Sequence, residues 1–415
     1  MSIRKSLLLL SLSIACVASA QKFVGGDISL LPEYINANAT YYDSKGQSVT
    51  SPLQLFKDEG MNAMRVRLFV NPSQYTGSDK DPNACQDLEY VKKLGKQIKD
   101  AGFDLILDFH YSDTWADPAK QWTPAEWVSL SDEHLYEKIY EYTKDALTQM
   151  CEAGATPDFI QPGNEISYGM LWGAYNASSS SLKKCYLGNS ANWNRFTTLL
   201  SNAIKACREV CPDAKVILHT ERVQQTNVLT NFYTQMKNAD IDYDIIGLSY
   251  YPAWHGKLSV LESALDAMTN GFPEKDIMIV ETGYSYAWAI PGTSFDYSSV
   301  YPYTDAGQNN YTVDLISLLN KYDNVTGLFW WWMEYNAKGT SLSGWYNAPL
   351  FDSRTGRATA ALSSLKKFVE SASIENVTTD CVENADDVWY TISGQRIKRP
   401  TEHGIYIHNG KKVAM

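Results

Sequence analysis

The sequence predicts an α/β protein, a (β/α)₈ TIM barrel with a small C-terminal β appendage. Short apolar runs alternate with amphipathic stretches along most of the chain, which is typical of consecutive parallel βα units. The runs are apolar on both faces, as strands of a parallel sheet are when helices cover them. At 415 residues the chain is long enough to bury the core of one barrel and one further small module.

Eight apolar runs are predicted as barrel strands, at residues 23–28, 63–69, 104–109, 158–161, 215–219, 245–249, 276–280 and 327–332. The clearest helices are predicted between them, at residues 87–101, 132–151, 193–210 and 307–322. Four connections are long and rich in Trp, Tyr, Gly, Ser and Asn, at residues 111–130, 166–190, 284–306 and 335–350. All four follow strands, so we expect them to gather on the carboxyl-terminal face of the barrel and to build an extended cleft there.

Three segments are predicted: a signal peptide at 1–20, the barrel at 21–372 and a small β module at 373–415. The signal begins with Arg4 and Lys5, continues with an apolar stretch that is too short to span a membrane, and ends in Ala-Ser-Ala before Gln21. This ending is the pattern of a signal-peptide cleavage site. LSIAC weakly resembles a lipoprotein site, so acylation at Cys16 is the alternative to cleavage after Ala20. We therefore expect a secreted or cell-envelope protein, with no membrane span. The Asn-Gly pair in the last residues indicates a β-hairpin.

Charge and composition limit the partners. The net charge of −11 and the lack of a Lys/Arg cluster argue against nucleic acid and favour a neutral substrate over a polyanion. Aromatic residues make up 13% of the chain, and exposed Trp and Tyr rings stack on the apolar faces of sugars. We expect a monomer. The six cysteines outside the signal permit disulfides whose pairing the sequence leaves open: Cys85, Cys151, Cys185, Cys207, Cys211 and Cys381. No CxxC pair or HExxH motif indicates zinc.

Two glutamates close strongly apolar runs. Glu165 follows DFIQPGN and Glu281 follows DIMIV, so both are predicted at the carboxyl-terminal tips of strands four and seven. Catalytic groups of (β/α)₈ barrels lie at these tips, and strands four and seven face each other across the mouth. Two carboxyl groups, one protonated and one ionised, are the machinery of a glycosidase. The alternative is that both glutamates only cap helices or form ion pairs.

Other polar and aromatic residues at strand ends are candidate sugar-binding groups. Arg65 and Arg67 lie on strand two; we expect Arg67 to point into the mouth and hold Glu281 ionised, and Arg65 to point outward. Asn164 is expected to bond the sugar 2-hydroxyl. Tyr250 or Tyr251 is expected to bond Glu281. The remaining candidates share a place at the mouth of the barrel: His110, Asp113, Trp115, Asp117, His219, Trp331 and Trp332. For His110 a purely structural role is the alternative.

Five motifs carry a family resemblance: MRVRLFVNP, LDFHYSDTWADP, GNEI, GLSYYP and VETGY. Together they resemble the arabinogalactan endo-β-1,4-galactanases of glycoside hydrolase family 53, from Gly25 to about residue 350. The resemblance implies retaining cleavage inside β-1,4-galactan, with Glu165 as acid/base and Glu281 as nucleophile. It implies that no cofactor is required.

The resemblance also has limits. Met333 stands where the family has Trp, which is expected to move the stacking platform to Trp331 or Trp332. Some bacterial members bind calcium in the loop after strand seven, where this chain has Asp296 and Asp305; the metal ligands are unknown. The alternatives are a related endo-β-mannanase or endo-β-glucanase, and a non-catalytic glycan-binding barrel.

Overall fold

The protein was analysed as a computed structural model that describes residues 21–176, 190–336, 348–370, 389–391, 396–397, 405–408 and 411–414. The predicted signal peptide with Cys16 lies outside the described residues, as do Cys185, Cys381 and parts of two predicted long loops. The chain divides into two compact units, of which Lys22–Ser373 contains the barrel.

Eight parallel strands close into a barrel: β1 (Phe23–Asp27), β2 (Ala63–Leu68), β3 (Asp104–Phe109), β4 (Phe159–Pro162), β5 (Lys215–Thr220), β6 (Ile245–Tyr250), β7 (Asp276–Thr282) and β8 (Val325–Trp330). Each strand pairs with the next along the chain, and β8 pairs with β1. The predicted (β/α)₈ fold is confirmed, and no strand boundary differs from its prediction by more than two residues.

The described helices surround this barrel: α1 (Leu31–Asn36), α2 (Pro52–Asp58), α3 (Leu88–Asp100), α4 (Asp132–Glu152), α5 (Ser190–Val210), α6 (Thr226–Asn238), α7 (Pro252–His255), α8 (Leu258–Gly271), α9 (Asp305–Leu319) and α10 (Ala360–Ser364). Side-chain caps start α3 and α4: Asp87 accepts from the Tyr90 amide and Ser131 from the His134 amide. In α4 the buried residues recur every three or four positions, which turns one apolar face toward the strands. None of the described helices has the length and apolar character needed to cross a bilayer.

The core has two layers. A large cluster fills the space between helices and strands. A smaller cluster plugs the inside of the barrel, mostly from the first halves of the strands: Ala63, Ile106, Phe159, Ile217, Ile245, Met278, Val280 and Phe329. This apolar plug makes the lower half of the barrel a packed core, so any site must lie above it.

The C-terminal unit contains a four-stranded antiparallel sheet: β9 (Trp389–Thr391), β10 (Arg396–Ile397), β11 (Ile405–His408) and β12 (Lys411–Ala414). The strand order is β10-β9-β11-β12. The rings of Trp389 and His408 stack across β9 and β11 with centroids 3.9 Å apart. The predicted hairpin is formed by β11 and β12.

Candidate active site

The inside of the barrel changes from apolar to polar over two residues. Residues two apart on a strand share a face, so the positions directly above the plug also point inward. On four consecutive strands these positions carry Arg65, Asp108, Gln161 and His219. All four side chains are fully buried. The polar layer therefore forms the floor beneath the mouth.

Glu165 and Glu281 meet above this floor. Glu281 lies within β7 near its end and is 4% exposed, and Glu165 follows β4 by three residues. A carboxylate oxygen of Glu165 lies within 4.8 Å of one of Glu281, with a ring nitrogen of His219 equally near. Glu165 has left-handed backbone, with φ of 48°, and Gly163 before it has φ of 108°. Such backbone is costly for a non-glycine residue and turns the carboxylate back over the barrel.

Hydrogen-bond donors surround Glu281. Its Oε1 lies 3.0 Å from an Arg65 guanidinium nitrogen, and its Oε2 accepts from the Tyr251 hydroxyl at 2.9 Å. Ser249, its register partner on β6, lies 3.5 Å from the same Oε2. Ser249 also donates to Glu165 Oε1 at 2.7 Å, so one hydroxyl lies between the two carboxyl groups.

The two carboxyl groups have unequal surroundings. Burial raises the pKa of Glu165 well above its usual value, and the charge of Glu281 adds to the rise. Burial also raises the pKa of Glu281, but Arg65 and the Tyr251 hydrogen bond oppose that rise. Because a guanidinium and a phenol stabilise the ionised form of Glu281 alone, Glu281 loses its proton first and Glu165 keeps its own.

Arg65 is the centre of the buried polar layer. Its guanidinium lies 3.1 Å from Asp27 and 2.8 Å from Asp108, and it donates to Asn164 Oδ1 at 2.9 Å. Although burial opposes the effect, Arg65 holds the pKa of Asp108 below its usual value. These contacts fix the guanidinium beneath Glu281.

The prediction that Arg67 contacts Glu281 and Arg65 points outward is wrong. The two arginines are two residues apart on β2 and therefore share the inner face. Arg65 is in the layer of Glu281, whereas Arg67 lies one layer higher, with its Nε 3.6 Å from Asp27. Its guanidinium carbon lies beneath three tryptophan rings, 4.6, 4.8 and 5.1 Å from the centroids of Trp115, Trp331 and Trp332. Arg67 is fully buried and supports these rings.

An open cleft of about 640 Å³ lies above the two glutamates. Its lining joins acidic groups to aromatic rings and includes Asp81, Trp115, Asp117, Lys120, Asn164, Glu165, Glu221, Tyr251, Trp254, His255, Glu281, Trp331 and Trp332. Six of the predicted sugar-binding residues are in this set: Trp115, Asp117, Asn164, Tyr251, Trp331 and Trp332.

Besides Arg67, four predicted sugar-binding residues are not among those lining the cleft, because protein groups already bond them: His110, Asp113, His219 and Tyr250. Tyr250 donates to the Gly256 carbonyl at 2.7 Å. His110 accepts from the Ala116 amide through Nδ1, and its Nε2 lies 3.1 Å from Asp108. Asp113 accepts from the backbone amides of residues 71 and 125 and holds the loop together. His110 therefore bonds only to protein groups among the described contacts, as expected if its role is structural.

His219 lies beneath the cleft rather than in it. Its Nε2 is 2.8 Å from Ser249 Oγ, and its Nδ1 is 3.0 Å from Asn164 Oδ1. Burial lowers the pKa of His219 well below its usual value, and Arg65 adds to this effect. Because Ser249 donates to Glu165, the neutral ring donates from Nε2 to Ser249 Oγ, and its Nδ1 accepts from the Glu165 backbone amide. The ring therefore orients the serine that bonds Glu165.

The sequence reasoning missed Ser249 and Glu221. Ser249 precedes the two tyrosines of LSYYP, and its inward register next to Glu281 becomes visible only when β6 and β7 are paired. Glu221 directly follows β5, and a carboxylate directly after a predicted barrel strand could have been recognised as a candidate site residue. It is 6% exposed and accepts a hydrogen bond from Ser167.

The two aspartates named for a calcium site each accept hydrogen bonds from protein groups. Asp296 Oδ1 accepts from the Ser298 amide and the Tyr303 hydroxyl. Asp305 Oδ1 accepts from the Ala360 amide. Within the described part of the chain, these carboxylates belong to no cluster of three acidic, His or Cys ligands. These hydrogen bonds engage one oxygen of each carboxylate, and calcium binding in this loop stays a prediction.

Comparisons with known proteins agree with this geometry. Residues 23–367 match the sequence profile of "Glycosyl hydrolase family 53". A relative from Cellvibrio japonicus, named arabinogalactan endo-β-1,4-galactanase, is 33% identical over 348 residues, which cover 80% of this chain and 86% of the relative. A relative of the same name from Thermothelomyces thermophilus is 30% identical over 367 residues, which cover 84% of this chain and 100% of the relative.

A solved structure gives the same result. The family 53 catalytic domain of Ignisphaera aggregans superposes with a TM-score of 0.71 at 29% identity, covering 88% of this chain and 99% of that domain. The resemblance stated from the five motifs is confirmed: this chain belongs to glycosyl hydrolase family 53 and is a glycoside hydrolase.

Proposed function

We propose that this protein is a retaining endo-β-1,4-galactanase that cleaves internal bonds of pectic galactan and type I arabinogalactan. One observation carries the mechanism: oxygens of Glu165 and Glu281 lie within 4.8 Å of each other. Retaining enzymes separate their carboxyl groups by about 5 Å, whereas inverting enzymes leave about 6.5 Å or more for a water molecule. The names of the relatives support the substrate.

The reaction is a double displacement. Glu281 attacks the anomeric carbon while Glu165 protonates the departing O4, which gives a glycosyl-enzyme on Glu281. Glu165 then removes a proton from water, and the water displaces Glu281 and releases the sugar with its configuration retained. Apart from the water, each step uses only side chains of this protein and the substrate.

The surroundings of each glutamate support its role. The nucleophile must be ionised, and Arg65 and Tyr251 stabilise that form of Glu281. The acid must be protonated, and burial together with the neighbouring charge raises the pKa of Glu165. Asn164 donates one amide hydrogen to the Ala116 carbonyl and keeps a second for the sugar 2-hydroxyl.

Export is part of the proposal. The predicted signal peptide supports secretion, and Cys16 supplies the lipid anchor if the lipoprotein site is used. Mass analysis of the mature N-terminus distinguishes the two, because cleavage after Ala20 leaves Gln21 first.

A polymer panel tests the substrate. We expect rapid release of reducing ends from linear β-1,4-galactan and little from β-mannan or cellulose. Release from mannan or cellulose instead would keep the mechanism and overturn the substrate. No release from any polymer, by protein whose circular dichroism shows it folded, would favour a non-catalytic glycan-binding barrel.

The Tyr251→Phe variant tests the ionisation of Glu281. Losing the hydrogen bond removes an interaction that lowers the pKa of Glu281, so that pKa rises. Activity falls as pH drops through the pKa of Glu281, so the acidic limb of kcat/KM should move to higher pH, by about half a unit to one unit. Tyr250→Phe is the matched control, because the Tyr250 hydroxyl bonds the Gly256 carbonyl instead. If the acidic limb of Tyr251→Phe stayed at the wild-type pH, Glu281 would not be the group whose titration that limb reports.

The Trp331→Ala variant tests the aromatic platform. Losing one stacking ring should raise KM for galactan about tenfold, with a smaller change in kcat. Trp288→Ala is the control, because Trp288 is 42% exposed and is not among the residues lining the cleft. Equal KM values for both variants would show that Trp331 contacts no sugar.

A further inference from the structure

Two cysteines face each other at the base of the barrel. Cys151 is the next-to-last residue of α4, and Cys211 directly follows the end of α5. Their Sγ atoms are 3.6 Å apart. Cys151 is half-buried and Cys211 is buried. Neither cysteine lies near the cleft, and the proposed mechanism uses neither.

The helices that carry this pair are held firmly together. Glu209 of α5 accepts from the Tyr140 hydroxyl at 2.6 Å and lies 3.0 Å from the Lys144 amine, both on α4. At the other end of the contact, Arg195 lies 3.0 Å from Asp132. The Cys211 amide donates to the Cys207 carbonyl, which continues the helical bonding of α5. These contacts therefore hold the backbones of the two cysteines next to each other.

We propose that Cys151 and Cys211 form a disulfide bond, a modification site that clamps α4 to α5. The sulfur atoms are only about 1.5 Å farther apart than bonded ones, a difference that rotation about the Cα–Cβ bonds can close. The sequence left the pairing open, and the nearby Cys207 is the competitor on the same helix. Helix geometry explains why Cys211 has its partner on α4 rather than four residues away on α5.

The oxidation needs a disulfide as electron acceptor, either a protein dithiol oxidant or oxidised glutathione. The thiolate of Cys151 attacks the acceptor and forms a mixed disulfide, releasing one acceptor thiol. The Cys211 thiolate then attacks Cys151 Sγ, forms the new S–S bond and releases the second acceptor thiol. Two protein thiols are thus oxidised and one acceptor disulfide is reduced. Burial raises the pKa of Cys211, so the half-buried Cys151 is the entry point.

The bond would stabilise the fold and leave the chemistry alone. It closes a loop that spans 60 positions and contains all of β4, the strand leading to Glu165. Cross-linking a long loop limits the freedom of the unfolded chain. Both cysteines lie where helices lead into strand starts, on the face opposite the cleft. Residues at this face serve stability rather than catalysis.

The test uses the full chain equilibrated in glutathione buffers from reducing to oxidising. Free thiols are alkylated, the protein is digested without reductant, and linked peptides are identified by mass spectrometry. We expect a Cys151–Cys211 linked peptide in the oxidising buffers and a melting temperature that falls by several degrees on reduction. Alkylation of both thiols in every buffer, or a link from either cysteine to Cys185, Cys207 or Cys381, would overturn the proposal.

Two serine variants check the assignment. Cys151→Ser should melt at the lower temperature with or without reductant. Cys85→Ser, a half-buried cysteine elsewhere in the fold, should keep the reductant-dependent shift. A reductant-dependent shift that survives in Cys151→Ser would assign the stabilising bond to other cysteines and contradict the pairing. The linked-peptide analysis of the unmodified protein decides the question even if a variant does not fold.

Discussion

The Glu281→Ala variant should lose at least about 10⁴-fold in kcat on β-1,4-galactan, because it lacks the carboxylate that attacks the anomeric carbon. The described carboxylates in the cleft are Asp81, Asp117, Glu165, Glu221 and Glu281, and only Glu281 is bonded by both Arg65 and Tyr251. The loss should appear in the release of reducing ends under saturating substrate. Folding of the variant is checked by circular dichroism.

Azide shows which role has been lost. In Glu281→Ala an azide ion can fill the space of the carboxylate and attack from the same side, so the product is an α-galactosyl azide. Its appearance, detected by NMR, would identify Glu281 as the nucleophile. A variant that retains more than about a hundredth of wild-type kcat would exclude that role.

Glu334→Gln is the matched control for Glu281→Ala. Glu334 is also a fully buried glutamate beyond a strand end, but it bonds the Leu30 amide and does not line the cleft. Burial raises the pKa of Glu334 above its usual value, which favours the neutral carboxyl group. The amide of Gln has a similar shape and is also neutral, so this substitution changes little. Hydrolysis should therefore continue in this variant, without azide products.

The second large effect is expected for Glu165→Ala. Removing a general acid costs about 10² to 10⁴-fold on galactan, whose O4 leaving group needs a proton. An aryl galactobioside with a dinitrophenol leaving group needs no proton, so its first step should continue at a rate near that of the wild type. Azide then attacks the glycosyl-enzyme from the opposite side and gives a β-galactosyl azide.

The pH profile provides an independent check on Glu165. The wild-type basic limb reports the loss of the Glu165 proton and should be absent in Glu165→Ala with the activated substrate. Equal losses on galactan and on the aryl substrate would show that Glu165 positions the substrate rather than donating a proton.

Strand positions could be predicted from sequence because each barrel strand is a short run, apolar on both faces and bounded by polar residues. The Glu165 and Glu281 pair could be found for the same reason, since a carboxylate at the end of an apolar run is an expensive residue to bury. Neither inference needs contacts between distant segments. The local sequence pattern is therefore enough to predict both the strands and the two glutamates.

Partners within the barrel were harder to predict, and the arginines show why. Both lie on β2 and both point inward, so periodicity cannot say which one reaches β7. The height of each residue in the barrel decides, and that height depends on the stagger between strands. The register alone does not show the contact, because it pairs Arg65 with Ile106 and Asp108 with Arg67. Strand tilt and the length of the arginine side chain bring the Arg65 guanidinium to Asp108 and Glu281.

The (β/α)₈ fold and the two glutamates could be predicted from the sequence, since hydrophobic period and strand-end carboxylates are properties of single segments. The family was indicated by the resemblance of the five motifs. Which residues surround the two glutamates follows from the folded structure alone. Closure of the barrel placed Ser249 between Glu165 and Glu281, moved Tyr250 and His110 into protein contacts, and buried Arg67 beneath three tryptophans. These outcomes depend on strand register and side-chain competition for hydrogen bonds, which arise from segments far apart in the chain.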